Sequence, residues 1–361
     1  MKAILTAGGT AGHINPAIAI AKEITADGGQ VLFIGNETGM ETELVKKEGF
    51  EIKTIRVSGF KRSLSPKNFK TVWQAAKGIS DTKKIIKDFA PDVVIGCGGY
   101  VSGSAVFAAA QMKIPTLIHE QNALPGLTNK ILAKMVSRVC ISFEESRKYF
   151  GQSDKIVYTG NPVRQNILSL KYEDARAAMG INGTLALVFG GSLGAKAIND
   201  AMIEALPLIN KDITVIWGTG KKRYDGVMEI LSGTDIPANV KIMPYIYNMD
   251  ECLAAADIVV SRAGAITISE ICVKGKASVL IPSPNVTGNH QMHNALALKN
   301  VGAADIIEEA NLNGTALAGA LKELTENTDK MRTMQANAIA MAKPLATSEI
   351  YKEIKKITGT H

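Results

Sequence analysis

The sequence predicts an α/β protein built from two doubly wound, Rossmann-like parallel-sheet units in tandem. Three observations carry that. Apolar runs such as Val93, Val94 and Ile95 or Val279, Leu280 and Ile281 alternate with helical stretches, and strands apolar throughout belong to parallel sheets buried on both faces. A glycine-rich strand-to-helix turn occurs twice, as AGGTAGH at 7–13 and FGGSLGA at 189–195. Each half then repeats a second strand and turn, DVVIGCGGY at 92–100 and DIVVSRAGA at 257–265, followed by a small-residue helix and another apolar strand at 115–119 or 277–282. A chain of 361 residues suits two domains, and 46% hydrophobic content fills two cores.

The first turn ends the apolar run from Ala3 to Leu5. Its glycines permit a tight bend, Asn15 suits an N-cap and Pro16 suits the first helical position. A helix N-terminus presents unpaired amides and about half a positive charge, so a diphosphate or sugar can settle there with His13 at the rim. Plain strand-to-helix packing uses the same kind of turn. Two nucleotide motifs are excluded: no Lys followed by Ser or Thr follows the second glycine, and Ala7 occupies the first glycine position of GxGxxG.

Charge is concentrated. The net charge is +7, and between Ser58 and Ala90 eight basic residues, Lys61, Arg62, Lys67, Lys70, Lys77, Lys83, Lys84 and Lys87, face only Asp81 and Asp88. The interval from Gly8 to Asp92 also exceeds its counterpart from Gly190 to Asp257 by 17 positions, so the basic stretch is an addition to the repeat. It carries Phe60, Phe69 and Trp73. Basic residues interleaved with a few large apolar ones suit an anionic membrane surface, and the patch expected to meet it is Lys61, Arg62, Lys67, Phe69, Lys70 and Trp73. A solvated helix face has the same composition. Nucleic acid is disfavoured, since aromatics are 5% of the chain and no RNA-binding motif appears.

No signal peptide and no membrane-spanning run is expected, because the first apolar stretch breaks at Gly8. Cys97, Cys140, Cys252 and Cys272 lie in or beside apolar segments without CxxC spacing, the pattern of buried reduced thiols.

Six motifs occur in the order seen in one family: GGTAGH at 8–13, GGYVSG at 98–103, HEQN at 119–122, GNPVR at 160–164, GGSLGA at 190–195 and RAGAITISE at 262–270. End to end, the chain resembles the bacterial UDP-N-acetylglucosamine:N-acetylmuramyl-(pentapeptide) pyrophosphoryl-undecaprenol N-acetylglucosamine transferases of peptidoglycan synthesis. Two departures are small: Ala11 stands where a third glycine is usual, and His290 precedes Gln291 where a second glutamine is common.

The resemblance implies a GT-B glycosyltransferase fold, two Rossmann-like domains facing across a cleft. It divides this chain into an N-terminal acceptor and membrane-facing domain over 1–161, a C-terminal donor domain over 162–345, and a helix at about 346–361 that packs back on the first, with a hinge at 161–163. The implied reaction is inverting transfer of N-acetylglucosamine from UDP-N-acetylglucosamine to the 4-hydroxyl of a lipid-linked muramyl pentapeptide, releasing UDP. That chemistry needs a base for the hydroxyl proton and positive groups for the departing diphosphate, for which the helix after 190–195 offers amides and the Ser192 hydroxyl, and Arg164 a fixed charge. His13 is the candidate base, because an ordinary imidazole is mostly neutral near pH 7. His13 could instead only bind sugar or phosphate, and Glu120 is the alternative base, although one carboxylate near a strand end could equally be structural.

For the donor, the resemblance points to Thr10, Ala11, Gly12, Asn122, Arg164, Ser192, Ile246, Ala265, Ile266, Thr267, Ile268, Ser269, Glu270 and Gln291, with the Ile246 backbone at the uracil and Glu270 on the ribose diol. A carboxylate at Glu270 could instead serve only its own helix dipole. Gly98, Gly99 and Tyr100 stand on the acceptor side. No Asp-x-Asp pair occurs, so the expected chemistry needs neither metal nor cofactor; UDP-N-acetylglucosamine is substrate. The expected partners are that donor, the lipid-linked acceptor and the anionic inner-membrane surface, and the expected location is peripheral, on the cytoplasmic face. Three rivals remain open: a UDP-sugar epimerase, a dinucleotide oxidoreductase using Glu37 on the ribose, and a nucleotide-sugar binding module without catalysis.

Overall fold

A computed structural model describes residues 1–57 and 67–360, and of residues 67–75 the backbone course alone. The chain divides into two compact units, Met1–Val163 with Leu345–His361, and Arg164–Pro344. Each is a parallel sheet with helices on both faces.

In the first unit the strands are β1 (Lys2–Thr6), β2 (Gln30–Asn36), β3 (Glu51–Ile55), β4 (Val93–Gly96), β5 (Thr116–Glu120), β6 (Arg138–Ile141) and β7 (Ile156–Tyr158), in the order β3-β2-β1-β4-β5-β6-β7. The helices are α1 (Ala11–Ala26), α2 (Glu41–Lys47), α3 (Lys67–Phe89), α4 (Tyr100–Gln111) and α5 (Leu127–Leu132). Side chains along a strand alternate between faces, and the core shows it. Ala3 and Leu5 of β1 join Val93 and Ile95 of β4 in one cluster with α1, whereas Ile4 and Val94 join the opposite cluster with α4. Each fully buried Leu or Ile contributes roughly 1.5–3 kcal/mol, so both faces stabilise the sheet.

The second unit carries α6 (Gln165–Ser169), α7 (Tyr172–Met179), β8 (Thr184–Phe189), α8 (Lys196–Ala205), β9 (Ile213–Gly218), α9 (Tyr224–Ile230), β10 (Val240–Met243), α10 (Met249–Ala255), β11 (Ile258–Ser261), α11 (Ala265–Val273), β12 (Ala277–Leu280), α12 (His290–Lys299), β13 (Asp305–Ile306), α13 (Gly314–Glu326) and α14 (Thr328–Ala340). Its strand order, β10-β9-β8-β11-β12-β13, repeats the β3-β2-β1-β4-β5-β6 part of the first sheet, without a counterpart of β7. Trp217 on β9 is fully buried and donates its indole N–H to Asn199 Oδ1 of α8 at 3.1 Å. A buried indole satisfied in this way ties the glycine-turn helix to its sheet.

The last helix, α15 (Ala346–Thr358), belongs to the first unit. Ile350, Tyr351 and Ile354 enter the α1 cluster, the Tyr351 hydroxyl donates to Asp27 Oδ2 at 2.6 Å, and Glu353 pairs with Arg138 at 2.9 Å.

Two local expectations change. Helix α1 begins at Ala11 with Thr10 as N-cap, so Asn15 is not the cap and Pro16 lies inside the helix. The bend at Gly9, at φ +87°, is complete before Thr10, so the helix starts within the motif. Pro16 has no N–H for the Gly12 carbonyl, a loss confined to the first turns. Ala11 does not have positive φ, which explains why a glycine is unnecessary there. The four cysteines are buried and free, and burial pushes Cys97 and Cys272 up to about 12, so their thiols stay protonated.

Of the anticipated membrane patch, Lys61 and Arg62 lie outside the described residues. Lys67, Phe69, Lys70 and Trp73 fall on the start of α3, where side chains are likewise outside the description.

Candidate functional site

At the carboxyl edge of the first sheet the β1 turn packs on the β4 loop. Gly8 N donates to Gly98 O at 3.2 Å, and a Cβ on Gly99 would lie 2.5 Å from Gly8 O. Both Gly98 and Gly99 have positive φ, +105° and +85°, conformations that favour glycine. Into this junction α1 delivers His13. Its Nδ1 lies 2.9 Å from Gly8 O, and because a carbonyl only accepts, Nδ1 carries the proton. The neutral ring therefore keeps its lone pair on Nε2. A Cβ on Gly98 would stand 2.8 Å from the imidazole Cδ2 and 3.1 Å from Nε2, so the bare glycine makes room for the ring.

Thr10, Ala11 and Tyr100 are exposed beside this junction and Gly12 is half-buried. The Thr10 hydroxyl does not cap α1. Glu41, which the sequence reading did not single out, is buried under the turn. Its carboxylate accepts from Asn36 N at 2.8 Å and Gly9 N at 3.4 Å. It braces the loop from 32 positions away.

The alternative base, Glu120, is built into the fold. The carboxylate is buried, Oε1 accepts from the backbone and side-chain nitrogens of Asn122 at 3.0 and 3.3 Å, and Oε2 accepts from Gly126 N and Asn129 Nδ2 at 3.1 and 2.8 Å. Four donors occupy both oxygens and shape the loop after β5. Glu120 is thus engaged in the loop's own hydrogen bonds, and Asn122 is one of its partners.

Beside it sits a fully buried network. His119 Nε2 donates to Gly160 O at 3.0 Å and Nδ1 accepts from Gln121 Nε2 at 2.9 Å. Ser142 Oγ donates to Asn161 Oδ1 at 2.8 Å, and Asn161 Nδ2 donates to Gln121 O at 3.1 Å. Burial holds His119 down at about 4, so it is neutral and structural.

In the second unit, Arg164 is the first residue and is half exposed. Its Nη1 lies 2.8 Å from Asp250 Oδ1 and its Nε lies 3.1 Å from Glu270 Oε1. The guanidinium expected at the diphosphate thus meets the carboxylate expected at the ribose, with Asp250 as an unforeseen third member. Burial raises the Glu270 carboxyl, Asp250 pushes the same way, and the Arg164 charge and hydrogen bond oppose them. Glu270 is the sixth residue of α11, beyond the first turn, which argues against a role limited to the helix dipole.

The other α11 positions differ among themselves. Ala265 and Ile268 are buried, and Ser269 Oγ donates back to Ala265 O at 3.0 Å, while Ile266 and Thr267 are half-buried. Ser192 is exposed in the β8 turn. Ile246 is buried after β10, its side chain against Gly218, where a Cβ would meet it at 2.9 Å. Tyr245 and Tyr247 flank it edge to face, 5.0 Å apart, with Lys221 Nζ 5.1 Å from both rings. Gln291 at the start of α12 accepts Ser283 N on Oε1 at 2.8 Å. The rival ribose ligand, Glu37, is paired with Arg56 at 2.6 Å.

Comparison with known proteins agrees with this layout. The glycosyltransferase family 28 N-terminal domain matches residues 3–141, and the C-terminal domain of the same family matches residues 185–350. The UDP-N-acetylglucosamine–N-acetylmuramyl-(pentapeptide) pyrophosphoryl-undecaprenol N-acetylglucosamine transferase of Acetivibrio thermocellus is 48% identical over 363 residues, covering 99% of this chain and 98% of its own. The crystal structure of Acinetobacter baumannii MurG superposes with TM-score 0.83 at 32% identity, over 98% of this chain and 99% of that one. A UDP-GlcNAc 2-epimerase from Neisseria meningitidis, solved with UDP-GlcNAc bound, superposes at TM-score 0.68 with 16% identity, over 99% and 100% of the two chains, and shares the fold alone. With near-half identity across its whole length, the chain belongs to the UDP-N-acetylglucosamine–N-acetylmuramyl-(pentapeptide) pyrophosphoryl-undecaprenol N-acetylglucosamine transferase family of GT-B glycosyltransferases.

Proposed function

We infer that this chain transfers N-acetylglucosamine from UDP-N-acetylglucosamine to the 4-hydroxyl of the muramyl sugar of the undecaprenyl-pyrophosphoryl pentapeptide, forming lipid II and UDP in peptidoglycan synthesis. The carrying observation is 48% identity to a transferase of that name over 99% of the chain. Release of UDP should require the muramyl lipid. Turnover of UDP-N-acetylglucosamine without it would favour the epimerase reading.

In the reaction the acceptor O4 bonds to the anomeric carbon from one face as the bond to the diphosphate oxygen breaks on the other, inverting the centre. The hydroxyl proton goes to His13 Nε2. That role is supported by the Nδ1 bond to Gly8 O, which leaves the lone pair on Nε2, and by the glycine that admits the ring. The negative charge leaves on UDP. Arg164, Ser192 and the amides before α8 and α11 are suited to receive it. Glu270 accepts from the ribose diol, the Ile246 backbone meets the uracil, and Gln291 lies at the sugar or diphosphate through its amide.

The acceptor is anchored in a bilayer, so the enzyme meets an anionic surface. Among the described residues no helix is long and apolar enough to cross it, which fits peripheral attachment. The basic stretch from Lys61 to Trp73 supports that reading. So do Leu127, Ile131 and Met135, four residues apart and all exposed, with Lys130 and Lys134 between them. Each lysine or arginine near the surface contributes about 1 kcal/mol at low salt. Reversing Lys61, Arg62, Lys67 and Lys70 to Glu should abolish binding to anionic vesicles and cut turnover of the embedded acceptor, leaving a short-chain soluble acceptor nearly unaffected. Loss with both acceptors would make this stretch part of the acceptor site.

A further inference from the structure

The Arg164 cluster contains one charge that no step of the transfer uses. Asp250 stands in the first turn of α10, where a carboxylate suits the helix dipole, but it also holds Arg164 Nη1 at 2.8 Å. Glu270 takes the Nε edge of the same guanidinium. Nη1 is one of the two terminal nitrogens with which an arginine grips a phosphate bidentately. One guanidinium facing two carboxylates leaves a local net negative charge.

We propose that Asp250 is a positioning residue acting as a stand-in for the diphosphate. It holds the Arg164 terminal nitrogen while the donor site is empty, yields it when UDP-N-acetylglucosamine arrives, and reclaims it when UDP must leave. This rests on the reading that Arg164 serves the diphosphate. Glu270 can keep the Nε edge throughout, so the guanidinium pivots on one carboxylate and exchanges the other. Arg164 is 50% exposed and Asp250 21%, so solvent screens the pair from the guanidinium side, and an exposed ion pair is worth about 0.2–1 kcal/mol. At 1.4 kcal/mol per tenfold, its removal changes affinity by about 1.4- to fivefold.

The sign is the test. Asp250→Asn keeps the shape and removes the competing charge, so UDP should bind about 1.4- to fivefold tighter while uridine, which has no phosphate, binds as before. UDP dissociation measured by stopped flow should slow by the same factor, and Asp250→Glu should restore the parent rate. Weaker UDP binding in Asp250→Asn would make Asp250 an anchor for Arg164 and overturn the proposal. Equal changes for UDP and uridine would reduce it to a structural effect and also overturn it. Arg164→Met separates the two layers: if the preference for UDP over uridine is undiminished by that change, Arg164 does not serve the diphosphate and the underlying reading falls. If the preference shrinks but Asp250→Asn has no effect, only the stand-in role falls.

Discussion

The two glycine turns grow from the same strand-turn-helix pattern and lean opposite ways. In each sheet the strand order reverses at the turn-bearing strand, β1 between β2 and β4, β8 between β9 and β11. Open parallel sheets take ligands at such reversal points, outside the carboxyl ends of the strands. In the first unit the turn closes on β4, and the imidazole of His13 occupies the junction against Gly98. In the second the turn leans onto the β9 loop: a Cβ on Gly194 would overlap Thr219 O, and Asn199 Nδ2 donates to the same carbonyl at 3.0 Å. On its β11 side, a Cβ on Gly191 would meet nothing within 4 Å, and one on Gly264 only the Thr267 hydroxyl at 3.7 Å. One scaffold thus gives an edge filled by the His13 imidazole and another left open beside Gly191 and Gly264.

The sharpest way to break this contrast is to empty the filled edge. His13→Ala should lower turnover by roughly 10²–10⁴, the usual worth of a positioned base, with donor affinity little changed. Gly98→Ala should approach the lower end of that range. Its Cβ pushes on the ring and its φ of +105° costs about 1–3 kcal/mol, while misplacing a catalytic group by about 1 Å costs roughly 10²-fold. Steady-state kinetics on the folded fraction decides. A Gly98→Ala enzyme with parental turnover would show that the imidazole's position is immaterial.

Next in size is acidification, which should separate the units. His119 is held at about 4 against an ordinary 6.5 because burial disfavours the cation. A depressed histidine contributes its stability above 6.5 and loses it as pH falls from 6.5 toward 4, a difference of about 3 kcal/mol at most. Glu270 runs the other way. Its carboxyl is raised by burial, so its contribution is fullest below the ordinary carboxylate value of 4.5 and declines as pH rises through the raised one. Hydrogen exchange resolved by unit should therefore show the first unit opening between pH 6.5 and 4, with the His119→Asn variant losing that dependence. Parallel loss in both units would assign acid instability elsewhere.

The contrast also marks what sequence could disclose. Tandem parallel sheets were legible because their strands are apolar throughout and the glycine turns repeat at corresponding positions. Candidate groups such as His13 and Glu270 were legible from ordered motifs. The partners were not. Glu41 reaches Gly9 across 32 positions, and Arg164 meets Glu270 across 106, contacts fixed by strand order and leaving no periodic trace. The partners of Glu120 were hidden for the same reason, since four donors gather on it only after the β5 loop closes. Proline chemistry at Pro16 points to a later start for α1 than the helix has, because the bend at Gly9 already sets its first turn at Ala11.

On the open edge, Glu270→Gln should weaken UDP binding by about 1–3 kcal/mol, as a charge-assisted bond becomes a neutral one. The 2′-deoxy nucleotide sharpens the assignment, because it should lose less affinity in the variant than in the parent. Calorimetry showing equal losses would remove Glu270 from the ribose.

The smallest expected effect concerns metal. A nucleotide-sugar enzyme that holds its diphosphate through a cation needs free carboxylates to bind the ion, and the sequence has no Asp-x-Asp pair. Asp250 and Glu270 are both on Arg164, so an ion entering there before the donor would have to displace a guanidinium. Fixed donors, a guanidinium and backbone amides, are instead suited to the developing charge without a recruited ion. EDTA should therefore leave turnover unchanged within about twofold, in the parent and in Asp250→Asn alike. Strong stimulation by Mg²⁺ in the parent would show that the diphosphate charge is met by metal. Stimulation in Asp250→Glu alone would show that a longer carboxylate can reach past Arg164 and recruit one.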